Sequence, residues 1–121
     1  MAQYQRAVET FGDYFEEMVG NLPNDKTRKK LEKVLDRIVL FKQPGSKFLK
    51  KLQNSDGIFE ILVSYSSNEY RLLGFFTDED FGDHFIILNC FVKKATKDYK
   101  KEIEKAIRLR TEYYEEENEE N

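Results

Sequence analysis

The stretch GIFEILVSYSSNEYRLLGFFTDEDFGDHFIILNCFVKK, residues 57–94, decides the fold. It contains three segments rich in β-branched and aromatic residues, which is the composition of strands: Ile58–Tyr65, Glu69–Thr77 and His84–Lys93. Ser66-Ser67-Asn68 and an acidic run at 78–83 separate them, and such residues favour turns. The third segment is almost wholly apolar, which indicates a central strand covered on both faces. The stretch therefore predicts an antiparallel meander of three strands.

Helical patterns flank this meander. A first apolar stripe with steps of three and four predicts a helix that ends near Gly20, Asn21 and Pro23, and its members are Val8, Phe11, Phe15, Met18 and Leu22. A short strand before it, at about residues 3–9, stays open. The second helix starts at Asn24 or Asp25, and its buried stripe is Thr27, Leu31, Val34, Leu35 and Ile38. These two helices are predicted to form a hairpin. A last helix is expected over about 97–114, capped by Thr96, with a stripe of Tyr99, Ile103, Ala106 and Ile107.

The predicted fold class is α+β in a single domain, because 121 residues is the usual size of one domain. An N-terminal helical hairpin packs on a three- to four-stranded, mainly antiparallel sheet, and a helix follows at the C-terminus. This domain spans 1–112, and 113–121 is an acidic tail. Residues 1–111 carry 20 basic and 17 acidic side chains, a formal charge of +3, whereas the last ten residues hold six glutamates. The tail is either a frayed, solubilising terminus or a segment that covers a basic groove.

Several classes of function are disfavoured by composition. One cysteine and one histidine make a zinc site improbable and fit a reducing compartment. Residues 1–11 lack the pattern of a secretory signal, and no apolar run is long enough to span a bilayer, so a cytoplasmic location is expected. No glycine-rich phosphate loop is present. His84 is interpreted as an exposed residue at the start of its strand, and Cys90 as a small packed hydrophobe.

Four short motifs in order carry a resemblance to a known family: Gly57-Ile58-Phe59-Glu60-Ile61, Tyr70-Arg71-Leu72, Phe91-Val92-Lys93-Lys94-Ala95-Thr96-Lys97 and Lys101-Glu102-Ile103-Glu104-Lys105-Ala106. The pattern resembles the phage-derived, HigB-like branch of the RelE/ParE toxin superfamily over residues 48–106. This resemblance implies a RelE-like fold and the toxin of a type II toxin–antitoxin pair. It also implies an mRNA endonuclease that works in the ribosome without a metal or another cofactor, by attack of the RNA's own 2′-hydroxyl group.

The sequence departs from the family pattern at two places. The strand that begins with Gly57 usually continues Glu-apolar-Arg, and Leu62 stands at that arginine position. The segment after the paired lysines usually runs Lys-Thr-Pro, and here it is Lys97-Asp98-Tyr99. The first departure removes a candidate phosphate ligand, and the second adds an aromatic hydroxyl group. They motivate an alternative function, a non-catalytic or degenerate module on the same fold that binds an antitoxin-like partner.

The candidate catalytic residues are Arg71, Lys93, Lys94 and Tyr99. Arginine suits a phosphate because its fork of donors matches the oxygens and it stays charged. The alternative for Arg71 is a structural ion pair with Glu60 on the neighbouring strand. Lys93 and Lys94 point to opposite faces if the strand continues, so only one of them reaches a given groove easily. Tyr99 is either a general acid or base-stacking residue, or a member of the helix's apolar stripe.

Four further lysines are candidates for binding RNA: Lys47, Lys50, Lys51 and Lys97. A solvated surface explains the first three equally well. Lys97 lies near a helix N-terminus, which favours an anion, and the alternative for Lys93, Lys94 and Lys97 together is an ordinary solvated helix start. The partners that the resemblance implies are a helix-turn-helix antitoxin, the ribosome and its mRNA. DNA would be contacted only through the antitoxin.

Overall fold

The computed structural model describes residues 4–93 and 96–120, without the side chains of Thr96, Lys97 and Glu120. Eight elements follow in chain order: β1 (Ala7–Thr10), α1 (Tyr14–Gly20), α2 (Asp25–Leu40), β2 (Leu49–Lys51), β3 (Phe59–Tyr65), β4 (Asn68–Phe76), β5 (His84–Val92) and α3 (Thr96–Glu120). The strands form one sheet in the order β1-β5-β4-β3-β2. β1 runs parallel to β5, and every other pair is antiparallel. The predicted α+β class and the meander of β3, β4 and β5 are confirmed.

The sheet has five strands, so the predicted three to four was wrong. The first helix was placed too early, since Val8 lies in β1 opposite Phe85 and Phe11 lies in the link to α1. The step of three between Val8 and Phe11 fits a helix, but a parallel partner on β5 satisfies the backbone better here. The leading strand that had stayed open is this β1. β2 was missed because three residues, two of them lysines, give almost no strand signal.

Each face of the sheet is covered by helix. One cluster joins α2 to the inner positions of β3 and β4, and includes Leu31, Val34, Ile38, Ile61 and Leu72, with α1 packed against it. The other lies under α3 and includes Ile58, Leu73, Phe75, Ile86 and Ala106. Alternate residues of β3 therefore point to opposite layers. α1, which packs on β5, and α2, which packs on β3, thus lie on the side of the sheet opposite α3.

A β-bulge interrupts the pairing of β4 with β5. Leu72 pairs with Cys90 and Gly74 with Ile87, so Leu73 alone faces two residues of β5. Gly74 is required here because a Cβ atom would lie 2.2 Å from the carbonyl oxygen of Ile86 and 2.7 Å from the Phe85 ring. The bulge brings Asn89 onto the α3 side, where its amide donates to the carbonyl oxygen of Glu102 at 3.0 Å.

Arg6 ties three parts of the chain together just before β1. It is 1% exposed, and its guanidinium donates to five carbonyl oxygens, those of Gly82, Ile38, Phe41, Lys42 and Phe81, at 2.6 to 3.3 Å. Some of these carbonyls belong to the C-terminus of α2, where a cation also complements the helix dipole. No pattern in the sequence marked this arginine.

The start of α2 agrees with the sequence prediction, whereas the end of α3 does not. The Asn24 side chain accepts from the Thr27 backbone N–H at 2.9 Å and begins α2, as one of the two predicted starts. α3 begins at Thr96 and runs to Glu120, through the segment that the sequence assigned to a separate acidic tail. Within the described residues, none of the helices has the length and apolar character needed to cross a membrane.

Candidate functional site

Arg71 lies in the middle of the sheet on the side that α3 covers, and it is 8% exposed. Its Nη1 donates to both carboxylate oxygens of Glu60, at 3.0 and 2.9 Å. Its Nη2 donates to Oε2 of Glu69 at 2.6 Å. Glu69 precedes Arg71 by two positions and so shares its face of β4, while Glu60 is its diagonal neighbour on β3. The structural ion pair of Arg71 with Glu60 is therefore formed, and a second carboxylate extends it.

Tyr99 closes this cluster from the first turns of α3. Its hydroxyl group donates to the Glu60 carboxylate, and its ring lies 5.2 Å from the Arg71 guanidinium carbon. The ring also meets Phe91 edge-on at 5.9 Å. Tyr99 therefore belongs to the apolar stripe of α3, as one of its two alternatives predicted, while its hydroxyl group bonds to Glu60. It holds the start of α3 over the sheet.

The electrostatics of the cluster follow from these contacts. The hydrogen bond from Arg71, the charge of Arg71 and the nearby charges of Lys93 and Lys50 lower the pKa of Glu69. Burial opposes the charged form of Arg71, but its hydrogen bonds and charge contacts with Glu69 and Glu60 outweigh this and raise its pKa. Both groups therefore stay ionised at neutral pH. Glu69 is a poor general base in this state, because a carboxylate with a lowered pKa holds a proton weakly.

Two exposed lysines complete a positive rim around the carboxylates. Lys50 on β2 pairs with Glu60 in the sheet, and the backbone N–H of Lys93 donates to the carbonyl oxygen of Glu69 at 3.0 Å. We call Arg71, Glu60, Glu69, Tyr99, Lys50 and Lys93 the Arg71 cluster. Its three cations exceed its two carboxylates by one charge. Arg71 Nε is buried and has no hydrogen-bond partner among the described atoms, so the cluster retains a donor.

Other predicted site residues lie elsewhere or cannot be placed. Lys51 projects to the opposite side of β2 from Lys50 and forms an ion pair with Asp80 at 2.8 Å. Lys47 lies beside Phe48, 6.0 Å from its ring, in a groove against α2. Lys94 and the side chain of Lys97 lie outside the described residues. The cluster therefore brings together Arg71, Lys93, Tyr99 and Lys50.

Glu69 is the member that sequence reasoning missed. The signal was present, since a carboxylate two positions from an arginine in a strand shares its face. Glu60 entered only as the alternative partner of Arg71. What no pattern revealed is that one guanidinium bridges both carboxylates.

The single histidine and the single cysteine do not form a nucleophilic pair in the structure. His84 Nδ1 and the Thr77 hydroxyl group form a hydrogen bond of 2.9 Å. The Nε2 atom of His84 lies 3.3 Å from a carboxylate oxygen of Glu9. Cys90 packs against the hydrophobic cluster on the α2 side, and burial, aided by the charge of Glu102, raises its pKa to about 12. A thiol with this pKa is a weak nucleophile at neutral pH. Among the described residues, no group of three or more potential metal ligands is close enough to hold an ion.

Residues 18–111 match the model of a family described as phage-derived protein Gp49-like (DUF891). The match covers α2, the whole meander and most of α3, and so includes every described member of the Arg71 cluster. No curated protein matches the chain significantly.

Proposed function

Since the chain belongs to the phage-derived Gp49-like protein family, which is RelE-like and toxin-like, we propose that it is the toxin of a type II toxin–antitoxin pair. In this proposal it belongs to the HigB-like branch and cleaves messenger RNA on the ribosome, in the cytoplasm. The observation that supports the proposal best is the Arg71 cluster. It gathers an arginine, two lysines and a tyrosine on the side of the sheet that α3 covers, with a net positive charge.

The proposed reaction needs no group beyond the RNA and the protein. The ribose 2′-oxygen attacks the neighbouring phosphorus, the bond from phosphorus to the 5′-oxygen breaks, and a cyclic 2′,3′-phosphate results. A base takes the proton of the 2′-hydroxyl group, and an acid supplies one to the leaving 5′-oxygen. Lys93, Lys50 and Arg71 stabilise the negative charge that builds on the phosphate in the transition state. Lys94 and Lys97 belong to the same proposed site, as the resemblance implies.

The phosphate reaches Arg71 by replacing Glu69. The Glu69 side chain is 43% exposed, whereas that of Glu60 is fully buried, so Glu69 is the carboxylate that solvent and a ligand can approach. The Arg71 side chain is only 10% exposed, so the phosphate approaches it from the Glu69 side, and exchange of that carboxylate for a phosphate oxygen keeps the same donor satisfied. Tyr99 and Glu60 hold the guanidinium from behind. In this role Glu60 positions Arg71 and does not touch the RNA.

The test is expression of the chain alone, with primer-extension mapping of ribosome-bound messages. Expression of the wild-type chain should stop growth. The double variant Lys50→Ala/Lys93→Ala should reduce the amount of cleavage by at least about tenfold, because each substitution removes one contact with the phosphate. Both lysines are exposed, so their removal leaves the core intact. The matched control is Lys29→Ala. Lys29 is also exposed but lies on α2, so this variant should cleave like the unaltered chain.

Two results would contradict the proposal in different ways. Full cleavage by the double variant means that the site is elsewhere on the chain. A folded, harmless wild-type chain that leaves messages intact removes the nuclease activity altogether.

The second outcome would favour the alternative function, a non-catalytic module that binds an antitoxin-like partner. Two observations support it. Arg71 is engaged by two carboxylates, and Leu62, directly opposite it on β3, stands where the family pattern has a second arginine. The partner proposed in either case is a helix-turn-helix antitoxin, through which the pair would contact DNA.

A further inference from the structure

A groove lies along α2, on a different part of the surface from the Arg71 cluster. Its main cavity has a volume of about 340 Å³, and a second cavity of about 140 Å³ adjoins it. They share Lys30, Val34 and Phe48 in their linings, so together they form one continuous depression, which we call the α2 groove. Its remaining lining residues include Leu40, Phe41, Leu62 and Lys47.

Apolar side chains are exposed in this groove. Leu40 is 50% exposed and Phe41 is 49% exposed, and they are two of the three large hydrophobic residues with this exposure in the described part of the chain. Both lie at the C-terminus of α2, where the helix gives way to extended backbone at Phe41. Adjacent exposed apolar residues beside a cavity form a candidate contact surface for another molecule.

The wall of the groove is pre-organised. The Arg37 guanidinium carbon lies 4.8 Å from the centre of the Phe41 ring and 4.7 Å from that of the Phe48 ring. Arg37 Nε also donates to the carbonyl oxygen of Pro44 at 2.7 Å. Two rings and a backbone carbonyl thus fix one arginine, so a ligand meets little loss of side-chain entropy there. Aromatic residues and arginine in such settings often contribute most of the binding free energy.

The charges around the groove are nearly all of one sign. Lys30, Lys33, Arg37 and Lys47 line it, and Asp36 is the one acidic residue among the lining residues. A ligand that fits must therefore combine an apolar face with negative charge beside it.

A protein helix meets these requirements better than RNA does. Single-stranded RNA needs open aromatic faces on which bases can stack, but Phe41 and Phe48 each already give a face to Arg37. The most exposed apolar side chain is Leu40, an aliphatic group that offers a base no stacking surface. An amphipathic helix places apolar residues on one face and carboxylates along both edges, which matches a groove with a basic rim.

We propose that the α2 groove binds an amphipathic α-helix of a partner protein, with its apolar face on Leu40 and Phe41 and its acidic residues next to Lys30, Lys33 and Lys47. The proposal concerns a surface apart from the Arg71 cluster and holds whether or not the chain cleaves RNA.

The test uses the full chain and a synthetic helical peptide of about 18 residues, long enough for a partly stable helix. The peptide carries leucines at steps of three and four along one face, glutamates on the two edges of that face, and alanine and glutamine elsewhere, which keeps its helix content high. Fluorescence anisotropy should show saturable binding in the micromolar range. Leu40→Ser and Lys33→Glu should each weaken binding by about tenfold or more, because each removes one half of the recognition. Lys29→Glu, on the same helix but outside the groove lining, should change it by less than about twofold.

Several outcomes would overturn the proposal. One is no saturable binding of the amphipathic peptide. Another is equal binding of a scrambled peptide of the same composition, which would reduce the effect to net charge. A third is saturable binding of a labelled single-stranded RNA that Leu40→Ser and Lys33→Glu weaken equally, which would make the groove an RNA site. A fourth is self-association of the chain alone that Lys33→Glu abolishes, since the occupant would then be a second copy. None of these readouts depends on cleavage, so they stand apart from the test of the Arg71 cluster.

Discussion

At Arg71, two carboxylates share one guanidinium, and the two have different surroundings. Glu60 is fully buried and receives a hydrogen bond from Tyr99 as well, whereas Glu69 is partly open to water. A buried charge without its partner is costly, and an exposed one is not. The contact with Glu60 therefore stabilises the fold, and the contact with Glu69 is the one that a phosphate would replace in the proposed site.

Removal of Arg71 should destabilise the fold severely. Arg71→Met leaves the Glu60 carboxylate buried and uncompensated, so we expect a loss of about 3–5 kcal/mol in the free energy of unfolding in urea. The double variant Arg71→Met/Glu60→Leu should recover most of that loss, because an apolar pair of similar size replaces the ion pair. Arg28→Met is the control, since its pair with Asp25 is exposed, and it should leave the unfolding midpoint unchanged. Equal losses in the single and the double variant would show that the buried charge is not the cause.

Glu69 should make the free energy of unfolding depend on pH in the acidic range. Its pKa in the folded chain is below the ordinary value of 4.5 because of Arg71. The unfolded chain then binds more protons in that range, so the stabilisation is complete above pH 4.5 and is lost as pH falls through the folded pKa. Between about pH 6 and about pH 3, the urea midpoint of the wild type should fall more than that of Glu69→Gln. Parallel profiles for the two proteins would mean that the Arg71 contact does not depend on ionised Glu69.

Much of this cluster could be anticipated from sequence, but not its connectivity. An arginine in the middle of a strand must find a partner, and Glu60 was an available one. The bridge to Glu69 depends on which rotamer the long Arg71 side chain adopts under Tyr99, and strand alternation does not determine that. Lys50 and Lys51 were treated alike for a different reason: β2 was missed, and only its strand alternation shows that Lys50 alone faces the cluster.

Among the elements, the meander was predictable to within about a residue because composition, alternation and turn residues agreed there. β3, β4 and β5 begin or end within one position of the predicted bounds. β1 and β2 were not predicted with their correct bounds, because each depends on pairing with another strand and its own residues carry a weak or misleading pattern. α3 was predicted to end near Tyr114, but it continues through a run of glutamates that contribute no apolar stripe.

The bulge between β4 and β5 supplies a test at this scale. Gly74→Ala places a methyl group against the Ile86 carbonyl oxygen and the Phe85 ring, and the backbone oxygen cannot move aside easily. We expect a loss of about 1–3 kcal/mol or more in the free energy of unfolding. Gly20→Ala is the control, since a methyl group added at the end of α1 would meet no atom within 4 Å. It should be neutral or slightly stabilising. A neutral Gly74→Ala would mean that the two strands can separate at the bulge without cost.

Over the whole molecule, the charge is divided between regions. Cations line the α2 groove and flank the Arg71 cluster, while the final turns of α3 carry the glutamates that make the net charge −3. The net negative charge therefore does not indicate that two regions, the α2 groove and the Arg71 cluster, are locally positive. One suits a phosphate because its donors surround an arginine, and the other suits a helix because its floor is apolar. The two surfaces lie on opposite sides of the sheet and come closest at β3, where Leu62 of the α2 groove pairs with Arg71.

Arg6 and β1 have a consequence for how the chain is made. Their partners are the end of α2, residues 81–83, and β5, so they must wait for synthesis of most of the chain before they can pair. Until β5 leaves the ribosome, β1 has no strand to pair with. The hydrogen bonds of Arg6 that join the end of α2 to the loop before β5 are also incomplete until then. The residues that line the α2 groove, by contrast, all lie at or before Ser64, although Val34 among them packs in the same core cluster as Leu72 and Phe85. The groove therefore takes its final shape only when β4 and β5 have joined the sheet, at the same stage of synthesis at which β1 and Arg6 find their partners.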